Sequence, residues 1–306
     1  MDSLWPHVRR YLKETLSSDE FFQWIEPLRP AGLQSGHLLL QVPSRFHYDW
    51  VQERYLSLMQ SCCRSIDSTV QLDLSMPVNR KPLGDAGRWL GNLRLSTRFE
   101  SSQTFHNFLP GPFNRFAVAA ARAVCEEDTA GFNPLFIEGP SGMGKSHLIH
   151  AIGNAWPRDN LGTAVYLNCR DLLPHEVLLL RAGGETLRHF LAGIGIFMVD
   201  DVHFVQADRN LQQYLLNIFD WCYDLEIQMV FTATGLPHHI PELTTALRSR
   251  LGWGLVTRIR EPDLPECHQL VEKFLGRAEV PTSEDILSFF REQPPLNFHE
   301  IKDCVD

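Results

Sequence analysis

The eight residues "GPSGMGKS", Gly139 to Ser146, constrain this chain more than any other stretch. They fit the pattern Gly-x4-Gly-Lys-[Ser/Thr], with the apolar run Leu135–Glu138 before them and the helical "HLIHAIGNAW" after them. A loop of this kind is built as strand, loop, helix. Its glycines let backbone N–H groups turn inward on phosphate oxygens, at the positive end of the helix that follows. Gly139, Ser141, Gly142, Met143 and Gly144 would supply that cradle. Lys145 would reach the β and γ oxygens, and the Ser146 hydroxyl suits Mg²⁺. A glycine-rich turn with no function leaves the lysine unexplained.

Four apolar runs, "LFIEG", "AVYLN", "IFMVDD" and "QMVFTAT", are too short for helices and alternate with helical stretches. That alternation predicts an α/β fold, a parallel sheet with helices on both faces. The third run ends in Asp200 and Asp201. Asp200 would hold Mg²⁺ through water, and Asp201 would polarise an attacking water. Together the loop and the acidic strand point to binding of a nucleoside triphosphate.

The flanks differ in character. Residues 1–76 read helix, strand, strand, helix, strand, a small α+β module. Residues 77–98 are rich in Gly, Pro and Arg and read as a linker. Residues 99–262 form the nucleotide-binding domain, and 263–306 read as helical with Pro breaks. The linker carries five basic residues and one acid, whereas residues 99–306 carry 16 basic and 27 acidic residues. With a net charge of −9, bulk attraction to duplex DNA is excluded and any nucleic-acid contact has to be local. None of the seven cysteines sits in a Cys-x-x-Cys pair, so reduced thiols in a cytoplasmic protein are expected. No apolar run reaches the length of a membrane span.

The segments "LWPHVRRYLKETLSSDEFFQWIEPL" and "LQVPSRFHYDWVQERYL" resemble the N-terminal domain of the bacterial replication initiator family DnaA. "TFHNFLPGPFNRFAVAAARAV", "NPLFIEGPSGMGKSHLIHAIGN", "IFMVDDVHFV" and "LRSRLGWGLVTRIREPDL" look like successive boxes of that family's AAA+ domain, in the family's order. The resemblance covers nearly the whole chain. It implies a small N-terminal α+β domain, a three-layer αβα P-loop AAA+ domain and a partial helical lid.

The resemblance also implies roles. Phe105 to Phe108, with Asn107, would line an adenine pocket for ATP or ADP. Thr232 and Thr234 would end the strand that senses the γ-phosphate, and Thr234 stands where the family usually has an aspartate. Arg250 matches the arginine finger that reaches a neighbouring subunit's ATP, which implies self-assembly into oligomers. Glu20 and Phe46 match positions that contact the replicative helicase or initiator regulators, and Val177 lies near the segment that meets single-stranded DNA. "NFHEI" aligns with a lid motif, Asn-x-Arg-Glu-Leu, so that His299 replaces an arginine that contacts phosphate in cis. Beyond Asp306 the family adds a helix-turn-helix domain for duplex DNA, and a naturally short relative and a shortened sequence both fit.

Other features have plainer readings. "QLDLSM" is similar to the short peptide that binds the sliding clamp, but Leu72 and Leu74 fit a strand. Trp5, Trp24 and Trp50 read as core. His147 and His150 stand at i, i+3 on the helix after the loop, with no acid or cysteine partner, which favours packing over a metal site. Three functions remain open: a DnaA-like ATP-binding protein of replication initiation, an Hda-like regulator that stimulates hydrolysis by the true initiator, and an interaction protein with a structural ATP site. The helicase-contacting first domain favours the first. Sequence-specific binding to duplex origin boxes is expected to be absent from this chain. A gel shift at physiological salt, compared with a scrambled box, checks it.

Overall fold

Helix Leu4–Thr15 buries Trp5, Val8 and Leu12, a stripe along one side, while Tyr11 is 45% exposed. The computed structural model describes residues 4–34, 36–76, 97–126, 132–157, 161–171, 191 and 193–277. Val177, His299 and most of both the linker and the expected lid lie outside the described residues. Contacts divide the chain into two units, residues 1–83 with 216–226, and residues 84–215 with 227–306. A segmentation that follows chain order cannot place 216–226 with the first unit.

In the first unit, β1 (Arg29–Gln34) pairs antiparallel with β2 (His37–Gln41), and β3 (Gln71–Ser75) pairs parallel with β2. The parallel step needs a crossover. It is made by helices Arg45–Arg54 and Leu56–Ile66, which divide at Tyr55 where the sequence reads as one helix. Ser44 caps the first of them, its hydroxyl accepting from the His47 N–H at 3.2 Å. The indoles of Trp24 and Trp50 stack with centroids 4.6 Å apart, and the His47 ring bonds the Trp24 carbonyl at 2.8 Å. All three tryptophans read as core are buried. "QLDLSM" supplies β3, with Leu72 fully buried and Leu74 partly so.

The second unit is a five-stranded parallel sheet of β4 (Leu135–Glu138), β5 (Thr163–Asn168), β6 (Ile194–Asp200), β7 (Gln228–Ala233) and β8 (Leu255–Arg258). Their order is β5-β6-β7-β4-β8. All four residues of β4 are buried, as expected of a strand covered on both faces. Helices Arg115–Ala123 and Lys145–Ala155 pack on each other and on the sheet, around Ile137, Leu148, Ile149, Ile152 and Val230. β8 is a strand that the apolar runs do not reveal. "LVTR" is short, follows two glycines and ends in a charge. No helix among the described residues is long and apolar enough to cross a membrane.

Leu72→Ala removes a fully buried side chain from the sheet of the first unit. Its expected cost is about 2–5 kcal/mol. A lower urea midpoint for that unit, followed by tryptophan fluorescence, checks it.

Candidate nucleotide site

β4 lies between β7 and β8, and the chain leaves it for the far edge of the sheet, so a crevice opens at its carboxyl end. The loop that follows is tied to both neighbours. Gly139 donates to the Ala233 carbonyl at 3.1 Å, and Ile259 donates to the Glu138 carbonyl at 2.7 Å. A Cβ on Gly139 would stand 2.7 Å from the Ile259 carbonyl oxygen. Gly142 and Gly144 have φ of 76° and 88°, the left-handed region in which glycine carries no penalty. A Cβ on Gly144 would also meet the Phe108 ring at 2.9 Å. No side chain caps the helix Lys145–Ala155 at Gly144, which leaves first-turn N–H groups for an anion.

Lys145 is buried, only 5% exposed. Its ammonium donates to the carbonyls of Gly139 at 2.7 Å and Pro140 at 2.8 Å. Burial pulls its pKa down, against the upward pull of Asp201, Asp200 and Glu138. Ser141, Gly142 and Ser146 are exposed, while Met143 is buried in the core and can offer a ligand only its backbone.

Asp200 is fully buried at the end of β6 and accepts from the Thr232 hydroxyl on β7 and from the Tyr166 hydroxyl at 3.2 Å. The Thr232 oxygen in turn accepts from the Asp201 N–H at 3.0 Å. One buried threonine therefore fixes both acids. Asp201 is left-handed at φ 56°, and its carboxylate accepts from Arg170 Nε at 2.6 Å. The Arg170 guanidinium lies 4.5 Å from the centroid of the Phe204 ring. Arg170 and Tyr166 are absent from the sequence reading. Their one signal is position, at the end of a parallel strand beside the acidic one.

A cleft of about 300 Å³ opens beside the loop, lined by Ser102, Gln103, Asn107, Phe108, Leu109, Gly144, His147 and Phe274. It brings Asn107 and Phe108 beside Gly144 of the phosphate loop. Phe105 does not line it. The Phe105 ring lies 4.8 Å from the Arg122 guanidinium carbon, and its carbonyl accepts from Arg122 Nη2 at 3.3 Å.

The remaining expected residues are dispersed. Arg250 is buried on helix Thr245–Leu251, with Nη1 donating to the Ala246 carbonyl at 3.2 Å. Thr234 is exposed just past β7. Glu20 completes a capping box with Ser17 and accepts from the Tyr55 hydroxyl at 3.3 Å. The Ser17 hydrogen bond is the main cause of its lowered pKa. Phe46 is buried against Trp24 and Trp50.

The donor set fits Mg²⁺. Asp200 uses two of its roughly four acceptor sites, Ser146 presents a hydroxyl, and both are hard oxygen donors. Among the described residues no group of three His, Cys, Asp or Glu side chains is placed to hold a metal. The ion would be shared with phosphate oxygens, the usual arrangement for Mg²⁺.

A phosphate loop on β4, acids on β6 and a strand inserted between them define a P-loop nucleoside-triphosphate-binding protein of the AAA+ class. The family profile of the bacterial DnaA ATPase domain matches residues 99–258, and that of the DnaA N-terminal domain matches residues 2–65. The chain belongs to the DnaA family. The chromosomal replication initiator protein DnaA of Thermus thermophilus is 28% identical, across 99% of this chain and 70% of its own length. Domain III of the Thermotoga maritima replication initiation protein DnaA aligns with a TM-score of 0.60 at 28% identity, covering 68% of this chain and 88% of that one. A replication initiator DnaA bound to AMPPCP and single-stranded DNA shares the fold, with a TM-score of 0.61 at 24% identity over 68% of this chain and 64% of that one.

Thr232→Val keeps the shape of a fully buried side chain but strips Asp200 of one of its two hydroxyl donors and the Asp201 N–H of its acceptor. The expected loss is about 1–3 kcal/mol of stability. Thermal unfolding of the nucleotide-free protein checks it.

Proposed function

We propose that this chain is an ATP-binding protein of chromosomal replication initiation, working through nucleotide-dependent self-assembly and contacts with other replication proteins. The observation that carries the reading is Lys145, buried in a loop whose left-handed turns call for glycine and bonded to the carbonyls of Gly139 and Pro140. ATP and ADP would lie with their phosphates on Gly139 to Ser146 and the base in the cleft of Asn107 and Phe108. Mg²⁺ would be held by Ser146 and Asp200. The AMPPCP held by a solved DnaA of the same fold supports this placement. The single-stranded DNA in that structure supports a similar ligand here, through the region of Val177. The match of residues 2–65 to the DnaA N-terminal domain favours an initiator over an Hda-like regulator, with Glu20 and Phe46 on the unit that would meet the helicase.

Hydrolysis would be slow. Asp201, the residue that would polarise water, is ion-paired to Arg170, and His299 stands where the family has an arginine. An imidazole is a shorter donor than guanidinium and is mostly neutral at pH 7. Arg250 would serve a neighbouring subunit's nucleotide.

Lys145→Ala is expected to abolish ATP and ADP binding, because no other cation of the loop replaces the lost charge. Unchanged affinity by isothermal titration would remove the reading. His299→Arg is expected to speed single-turnover hydrolysis more than it tightens ATP binding. Arg250→Ala serves as the control for catalysis shared between subunits. Rapid hydrolysis by the unmodified chain, insensitive to position 299, contradicts the lid assignment.

A further inference from the structure

The two histidines after the phosphate loop do not stand alone. His147, His150 and Asn154 fall at i, i+3 and i+7 on helix Lys145–Ala155, one side of it, and all three engage the same segment of chain. The His147 ring donates from Nε2 to the Thr104 carbonyl at 2.9 Å. His150 Nδ1 accepts from the Glu100 N–H at 3.2 Å. The Asn154 amide uses both hydrogens, to the Glu100 carbonyl and the Gln103 carbonyl, each at 2.9 Å. Aromatic contacts run alongside. Phe108 meets His147 edge to face at 5.1 Å, and Phe99 meets His150 at 6.0 Å. Gly153 leaves room for the Phe99 ring, whose nearest carbon would stand 2.3 Å from a Cβ there.

The bound segment runs from Phe99 to Phe108, and its far end supplies Asn107 and Phe108 to the cleft. Its backbone carbonyls and N–H find partners on a helix whose first residue is Lys145. The wall of the base cleft and the phosphate loop are therefore mounted on one rigid element. We propose that Asn154 is a positioning residue for nucleobase recognition, hanging the segment Phe99–Phe108 from the phosphate-binding helix, with His147 of the cleft wall tying the segment's other end, so that base and phosphates are read as one body. This inference rests on the nucleotide reading above and deepens it. It also assigns the histidine pair, through hydrogen bonds to backbone, a role other than metal binding. Burial lowers the His150 pKa, in keeping with a neutral ring that accepts an N–H.

A purely structural role would weaken every ligand alike, so the test separates base from phosphate. ATP, GTP and inorganic tripolyphosphate are titrated into the full 306-residue chain and into Asn154→Ala, Asn154→Asp and His147→Phe. Asn154→Ala is expected to weaken ATP about tenfold, the scale of one or two ordinary hydrogen bonds, and to narrow the preference for ATP over GTP. Tripolyphosphate affinity should stay within about twofold, since the loop's own N–H groups and Lys145 are untouched. Asn154→Asp keeps the shape but turns an acceptor toward two carbonyls, so it should bind ATP no better than the alanine variant. His147→Phe removes the bond to Thr104 at the other end of the segment and keeps a ring against Phe108. Should the Asn154 variants fail to fold, an ATP loss in His147→Phe larger than the tripolyphosphate loss supports the inference and equal losses overturn it. Equal losses for ATP and tripolyphosphate overturn the inference, as does wild-type ATP affinity in Asn154→Asp. Wild-type protein that binds neither ligand overturns the nucleotide reading, and this one with it.

Discussion

A lysine ammonium taken out of water has to be compensated, and the second unit is arranged around that requirement. Lys145 is answered at close range by two backbone carbonyls of its own loop. The negative charges of Asp201, Asp200 and Glu138 offset part of the desolvation penalty, which still pulls the lysine's pKa down. Only a parallel sheet delivers those groups together, because its strands all end on one edge. The order β6-β7-β4-β8 sets the acids one strand away from the loop, with Thr232 between them as the hydrogen-bond link. The acids carry partners of their own. Glu138 accepts from Arg258 Nε at 2.7 Å, a bond across the β4–β8 pair that holds the strand end beneath the loop.

The glycines answer the same constraint from the other side. Gly139 sits against the Ile259 backbone, and Gly144 against the Phe108 ring, so a side chain at either would push the loop off the sheet or off the cleft wall. Close packing on two sides fixes the loop around the carbonyls that hold Lys145. Phosphate oxygens arriving there would exchange one set of oxygen partners for a charged one, with little reorganisation of the loop.

What could be read beforehand follows the range of the signal. The loop, the acidic strand end and four of the five strands are local patterns, and the structure forms each of them. β8 escapes because its four residues hold only two strongly apolar side chains and stand among glycines. The division of a helix at Tyr55 escapes because the apolar spacing runs through it unbroken. The i, i+3 spacing of His147 and His150 was visible, whereas their acceptors and donors were not. Those are backbone groups near residues 100 and 104, which every residue type possesses. Arg170 has no motif at all. It is found only when β5 and β6 are laid side by side, with Asn168 opposite Asp200.

Binding and turnover draw on different charges in this site. Binding would need the loop N–H groups, Lys145 and an oxygen site for Mg²⁺, and the loop and Lys145 are fixed by glycine geometry and two carbonyl bonds. Turnover needs groups aimed where charge develops on the transferring phosphoryl group, and those gain their effect from being fixed in advance. The residues proposed for that work, in this site or a neighbour's, already carry partners. Asp201 is nearly buried and paired with Arg170, which is itself laid on Phe204. Arg250 is buried and bonded to its own helix. Thr234, exposed just past β7, offers a hydroxyl and no charge. Freeing Asp201 for a water means separating a 2.6 Å ion pair whose acid has little solvent to replace the guanidinium, a step that costs more than the same change at an exposed pair. Under the nucleotide reading proposed above, a site so arranged would retain a nucleoside triphosphate more readily than it would cleave one.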